Sequence, residues 1–241
     1  MKKLWKGLGH MMLGAMALLF AVCALAATVI MLRGYRLYRD ALAEKPLPDA
    51  VAEVRAQPDF TPLDELPALY LDAVVAVEDH RFYAHGGIDY IAVCRAVWND
   101  LRAGAFIEGG STITQQLAKN MYFTQEKQLT RKVAELFVAW ELEARYTKDE
   151  ILELYVNAIY FGSGYWNIGQ ACRGYFGKAP AEMTPYESTL LAGVPNAPTA
   201  YNPAQNAGLA ALRQQRVVEK LQQYGYVNTF EAQELAALPA A

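Results

Sequence analysis

The chain has 241 residues, 54% hydrophobic and 20% charged, a composition that suits one or two folded domains and excludes a disordered or low-complexity chain. Its formal charge is −3, so bulk basicity gives no ground for nucleic-acid binding. Residues 1–33 carry four basic and no acidic side chains, which leaves the remainder at −7; any anion site must be assembled locally. The three cysteines, Cys23, Cys94 and Cys172, form no Cys-x-x-Cys pair, which argues against a zinc ribbon and a thioredoxin-type redox site. A Cys94–Cys172 disulfide stays open for an exported body, with buried thiols the commoner outcome.

Met11 to Leu32 is a run of 22 residues without a charge. At about 1.5 Å per residue it is about 33 Å long as a helix, against about 30 Å of bilayer hydrocarbon. Lys2, Lys3 and Lys6 precede it and Arg33, Arg36 and Arg39 follow, and the short basic tail is expected to stay in the cytoplasm. Ala24-Leu25-Ala26 resembles a signal-peptide cleavage site, but the apolar run continues beyond it, which favours a retained anchor. Residues 1–33 are therefore read as tail and anchor, the proline-interrupted segment 34–66 as a stalk, and 67–241 as the body.

The body reads as mainly α. Leu69 to Glu78 fits either a helix or a buried strand. Ile88 to Leu101 repeats apolar residues at helical spacing, and Leu129 to Tyr146 sets Leu129, Val133, Leu136, Phe137 and Trp140 on one stripe. Thr184-Pro185-Tyr186-Glu187 is a helix start, Pro195 to Pro203 a connector, and 204–224 a last helical region. With no internal repeat and no alternating strands, an all-β or parallel α/β fold is not expected.

Three clusters carry chemistry. In the first, Glu78-Asp79-His80-Arg81-Phe82-Tyr83-Ala84-His85-Gly86-Gly87, a carboxylate follows an apolar segment, where burial raises its pKa and suits it to take a proton; a solvent ion pair of Glu78 with Arg81 is the plain alternative. His80 and His85 lack zinc-site spacing. In the second, Glu108 to Asn120, Ser111 or Thr112 caps a helix whose polar, weakly charged stripe of Thr112, Gln115, Gln116 and Lys119 suits a sugar or a phosphate; the polar side of a plain amphipathic helix is the alternative. In the third, Arg131, Lys132 and Glu135 open an amphipathic helix, either as a surface ion pair or, with Lys119, as a cationic pocket for a diphosphate.

Together these clusters resemble the motifs of the peptidoglycan glycosyltransferases, glycosyltransferase family 51. Glu78, Asp79, Phe82, His85 and Gly87 match the first motif, Gly109 to Asn120 the second, and Arg131, Lys132 and Glu135 the third. Lys148, Ile151, Leu152, Tyr155 and Asn157 match the fourth, and Tyr175-Phe176-Gly177-Lys178 the fifth. The resemblance implies a lysozyme-like helical domain at 67–241 behind a single transmembrane helix, on the outer face of a bacterial cytoplasmic membrane, polymerising lipid II into glycan strands. It implies Glu78 as the general base and Glu135 as a second catalytic carboxylate. Lys119, Arg131 and Lys132, with Arg95, would neutralise the diphosphate. Asp79, Phe82, His85, Gly110, Ser111, Thr112, Gln115, Gln116, Asn120 and Lys148 complete the implied substrate contacts. A divalent cation, Mg2+ or Mn2+, is an optional cofactor. The implied partners are lipid II, the growing strand, the membrane and other cell-wall synthesis proteins, with no nucleic acid. The penicillin-binding motifs Ser-x-x-Lys and Lys-Thr-Gly do not occur, so the chain reads as monofunctional or as a fragment. A lysozyme-like lytic enzyme and an inactive glycan-binding scaffold are the rival readings.

Overall fold

The uncharged run forms part of one long helix, α1 (Lys2–Glu44). It is long and apolar enough to cross a bilayer, and none of its apolar window is buried in the protein. The structure, a computed structural model, describes residues 2–104, 110–123 and 128–237; Glu108 and Gly109 of the second cluster lie outside the described residues.

Residues 34–66 do not form the expected stalk. α1 continues to Glu44 with Gly34 and Tyr38 buried, and α2 (Leu47–Arg55) buries Leu47, Ala50, Val51 and Val54, a spacing that puts one face into the core. The prolines that suggested interruption stand mainly at helix starts. Pro46 precedes α2, Pro48 lies in its first turn, Pro62 leads a short 3-10 turn and Pro67 leads the next helix. Proline's fixed φ and missing N–H cost nothing there.

α3 (Ala68–Glu78) resolves the helix-or-strand ambiguity and buries Tyr70, Ala73, Val74, Val75 and Ala76. α4 (Tyr90–Ala103) is the expected helix, capped by Asp89, but its apolar periodicity does not mark a core face: Ile91, Val93, Cys94, Trp98 and Leu101 are exposed and Ala96 is buried. α5 (Ile113–Tyr122) starts at a capping box of Thr112 and Gln115. α6 (Leu129–Arg145) and α7 (Lys148–Val156) follow, the latter capped by Thr147 and Glu150. α8 (Ile168–Phe176) ends at Gly177 with φ +69°, a left-handed stop that glycine takes without strain. α9 (Pro185–Gly193) begins at the predicted Thr184–Glu187 box. α10 (Ala207–Gln223) is the expected last region, and α11 (Thr229–Ala237) is a further helix that the sequence reading did not include. Among the described residues no strand forms; Gly162 and Tyr165 make an isolated bridge.

α3 is central, packed against α9 and α10, while α5 lies on α6 and α7 and the latter part of α1 lies along α6. Tyr70, Phe82, Leu117, Leu142, Ile151, Tyr155, Phe161 and Ile168 are fully buried in this core, the Phe, Leu and Ile side chains each contributing about 1.5–3 kcal/mol from lost apolar exposure. Met121, Tyr122 and Phe123 are partly buried and pack against it. Cys94 and Cys172 are free thiols, the first exposed and the second buried.

Candidate active site

α3 ends at Glu78 because the next residue leaves helical geometry and turns its side chain to other work. Asp79 Oδ1 and Oδ2 lie 3.0 and 2.9 Å from His85 Nε2, and Oδ2 accepts the Ile113 N–H at 3.1 Å. That amide is an otherwise unpaired donor at the start of α5. Asp79 thus ties the end of α3 to the beginning of α5 and fixes which side of α5 faces Glu78. The α5 start is fixed again by Thr112 Oγ1, which donates to the Gly87 carbonyl at 2.7 Å. Gly87 has φ +83°, and a Cβ there would meet Glu143 Cγ at 3.3 Å, so glycine suits both the backbone and the space.

Glu78 lies in a cleft of about 480 Å³ lined by Asp79, His80, Arg95, Ser111, Gln116, Lys119, Pro195, Asn196, Arg213, Lys220 and Tyr224. One carboxylate oxygen, Oε2, accepts from Gln116 Nε2 at 2.8 Å. The other, Oε1, is buried and has no hydrogen-bond partner among the described residues. Tyr155 Oη donates to Gln116 Oε1 at 3.4 Å, orienting the amide so that its NH2 group faces Glu78. Burial raises the Glu78 pKa above its ordinary value, while the Gln116 bond and the charges of Arg213 and Lys119 oppose that rise. Glu78 makes none of the ion pairs found among the described residues; Arg81 pairs with Asp89 instead, at 3.1 Å.

The cations stand to one side of it. Glu135, 1% exposed, pairs with Arg131 Nε at 2.8 Å and with Lys132 Nζ at 3.0 Å, and Lys132 Nζ also donates to Ser111 Oγ at 2.7 Å. Lys119 feels Glu135, Arg131, Lys132 and Glu78 together. Its own burial is the largest influence and lowers its pKa. Across the cleft, α10 supplies Arg213, whose Nε donates to the Gly193 carbonyl at 3.2 Å, and Lys220. His80 stacks on Tyr224 with ring centroids 4.0 Å apart; burial and the Arg95 charge lower its pKa.

The structure brings Glu78, Asp79, Arg95, Ser111, Gln116 and Lys119 to this cleft and links Lys132, Arg131 and Glu135 to it through Ser111 and Lys119. Other candidates are placed elsewhere. Thr112 and Gln115, each 2% exposed, are the α5 cap rather than cleft wall. Phe82 is fully buried, with Lys148 Nζ 4.3 Å above its ring, and Lys148 is held by Glu143 at 2.8 Å. The His85 side chain is nearly buried against Asp79. Gly110 and Asn120 are half-buried and do not line the cleft. Arg213, Lys220 and Tyr224 were missed. Their intervals of seven and four residues put them on one face of a helix, a signal that could have found them.

A resident divalent cation does not fit these residues. Asp79, His85 and Asp89 offer ligand atoms within 4.8 Å of one another, but Asp79 is engaged by His85 and the Ile113 amide, and Asp89 by two α4 amides and Arg81. The cleft itself is lined by cations, which repel a metal ion unless a substrate anion brings it.

The helical body thus sets a half-buried carboxylate, Glu78, and a group of cations into one cleft. Residues 47–222 match the family model described as Transglycosylase. The chain is 39% identical over 234 residues to a Cupriavidus necator protein named "Putative transglycosylase", covering 96% of this chain and 95% of that one. It is 43% identical over 170 residues to penicillin-binding protein 1A of Neisseria flavescens, covering 70% of this chain but 21% of that protein. It is 42% identical over 170 residues to penicillin-binding protein 1F of Bacillus subtilis, covering 70% of this chain and 24% of that protein. The chain thus spans about a quarter or less of these penicillin-binding proteins. The chain belongs to the transglycosylase family, and it is a glycosyltransferase. The matched region begins at 47, inside the segment expected as a stalk.

Proposed function

We propose that this enzyme polymerises lipid II into β-1,4 glycan strands, releasing undecaprenyl diphosphate, with Glu78 as general base. The observation that carries the reading is the setting of Glu78: half-buried, one oxygen held by Gln116 and the other without a partner among the described residues, with Lys119 and Arg213 near enough to act on its charge. The unpartnered Oε1 accepts the proton of the acceptor sugar's 4-hydroxyl. The O4 lone pair forms the new bond to the donor's anomeric carbon as the bond to the diphosphate oxygen breaks, with inversion. The bonding electrons leave on the diphosphate, where Lys119, Arg131, Lys132 and Arg213 neutralise them. A diphosphate needs no strong general acid to depart, so fixed positive charge can serve in its place.

Glu135 then acts chiefly by holding Arg131 and Lys132 in place through its two ion pairs. This arrangement disfavours the lytic rival. Glycoside cleavage calls on two carboxyl groups about 5–9.5 Å apart, one donating a proton and the other serving as nucleophile or base. Here Asp79 and Glu135 are each committed to donors or cations. The body is assigned to the extracytoplasmic side, since the short basic tail stays inside and lipid II polymerisation lies outside. The test is to incubate the full chain with lipid II and, separately, with finished glycan. Growth of strands with release of the lipid diphosphate supports the synthase; shortened glycan with lipid II untouched supports the lytic enzyme and overturns this reading.

A further inference from the structure

Gly34 is buried against the first turns of α6. A Cβ at this position would lie 2.5 Å from both Cβ and Cγ1 of Val133 and 2.8 Å from the Thr130 carbonyl oxygen, so the two helix backbones approach as closely as only glycine allows. One turn further on, Tyr38 stacks on Phe137 with centroids 5.4 Å apart, and Tyr35 meets the same ring edge-on at 5.2 Å. Tyr38 Oη donates to Glu141 Oε1 at 2.8 Å. The contacts advance together along both helices, from 34 against 130 and 133 to 38 against 137 and 141. α1 and α6 therefore run parallel in one fixed register.

That register has a consequence for height above the membrane. The uncharged run ends at Leu32, two residues before Gly34. Arg131 and Lys132 belong to the same turn of α6 that Gly34 touches. With about 1.5 Å of rise per residue, their backbone lies within about 5 Å, along the axis, of the last apolar residues. This is the level at which a lipid-borne diphosphate leaves the hydrocarbon. α6 carries the anchor on one face and, on another, Arg131, Lys132 and the Glu135 that joins them.

We propose that Gly34 is a positioning residue: by seating the anchor on α6 it sets the cationic site at the depth of the bilayer where the substrate's diphosphate lies. A flexible tether would give local concentration without depth; a glycine-seated helix gives both. The inference rests on the lipid II reading above.

The experiment uses Gly34→Leu and wild type, both full-length and reconstituted in phosphatidylglycerol–phosphatidylcholine vesicles. Each is assayed with lipid II and with the same disaccharide diphosphate carried on a short, water-dispersible prenyl chain. The expected result is a tenfold or larger rise in apparent KM for bilayer-embedded lipid II, with kcat/KM for the short-chain substrate within twofold of wild type. Equal losses on both substrates, or no loss on either, would overturn the proposal. In case the variant fails to fold, a second measurement uses wild type alone: its rate on lipid II should peak at one bilayer thickness as acyl chains go from 14 to 22 carbons, and a flat profile would overturn it. A wild type inactive on both substrates would strike the proposed function instead.

Discussion

Glu78 and Asp79 are neighbours in sequence with opposite circumstances. The Asp79 carboxylate is engaged by an imidazole and a helix-start amide, whereas Glu78 has one amide bond and one oxygen without a partner among the described residues. Burial raises the Glu78 pKa above its ordinary value of 4.5, and a base works only when deprotonated. The kcat/KM profile should therefore lose activity on the acid side at a pH above that of an ordinary glutamate, and a profile whose acid limb falls at or below 4.5 would contradict this. The stability sign is the reverse. A carboxyl with a raised folded-state pKa favours the folded state most at low pH, and that contribution is lost as pH rises through the folded pKa. Glu78→Gln should raise the melting temperature at pH 7 to 8, with the gain vanishing near pH 4; thermal unfolding across that range checks it. On the alkaline side, burial lowers the Lys119 pKa from 10.5, so activity should decline before an ordinary lysine would deprotonate. Lys119→Gln should remove that limb and reduce kcat by about 10²-fold, in line with losing one donor to developing charge.

At the scale of elements, helix starts set the geometry. The Thr112 hydroxyl caps α5 and reaches Gly87, so Thr112→Ala should cost about 1–2 kcal/mol in denaturant unfolding. The cost falls on stability because Thr112 is buried and away from the cleft lining. A variant of normal stability would refute the capping role. Local chemistry of this kind was legible in the sequence: the Thr184–Glu187 start, the polar stripe opening at Thr112, and Glu78 behind an apolar helix. Long-range partnership was not. Four residues matched by the motif resemblance, Thr112, Gln115, Phe82 and Lys148, lie in a helix cap or in packed contacts away from the cleft lining, because a spacing reports which residues share a face and not whether that face meets a cleft or a neighbouring helix. The exposed apolar side of α4 shows the same limit. Arg213 and Lys220 enter the cleft only because α10 packs against α3, a contact between segments more than a hundred residues apart.

For the whole molecule, the 34–66 segment changes the account most. Prolines at helix starts join the long apolar helix to the body as continuous, packed structure, so that helix and the cleft belong to one unit. An apolar helix of this length should hold the chain in vesicles through 1 M salt, where the Debye length falls to about 3 Å and surface charge attraction is screened; release on raising salt would mean peripheral binding. Sidedness can be read from cysteine. Cys94 is exposed and Cys172 buried, so a membrane-impermeant maleimide added to intact spheroplasts should label Cys94 if the body lies outside, and labelling only after lysis would place it inside.

The most direct measurement compares wild type and Glu78→Gln with lipid II at neutral pH, following both strand formation and binding. Wild type should build glycan, while Glu78→Gln should bind lipid II within a few-fold of wild type and polymerise it at least about 10²-fold more slowly, as expected on removing a general base. Polymerisation by Glu78→Gln at the wild-type rate would contradict the account.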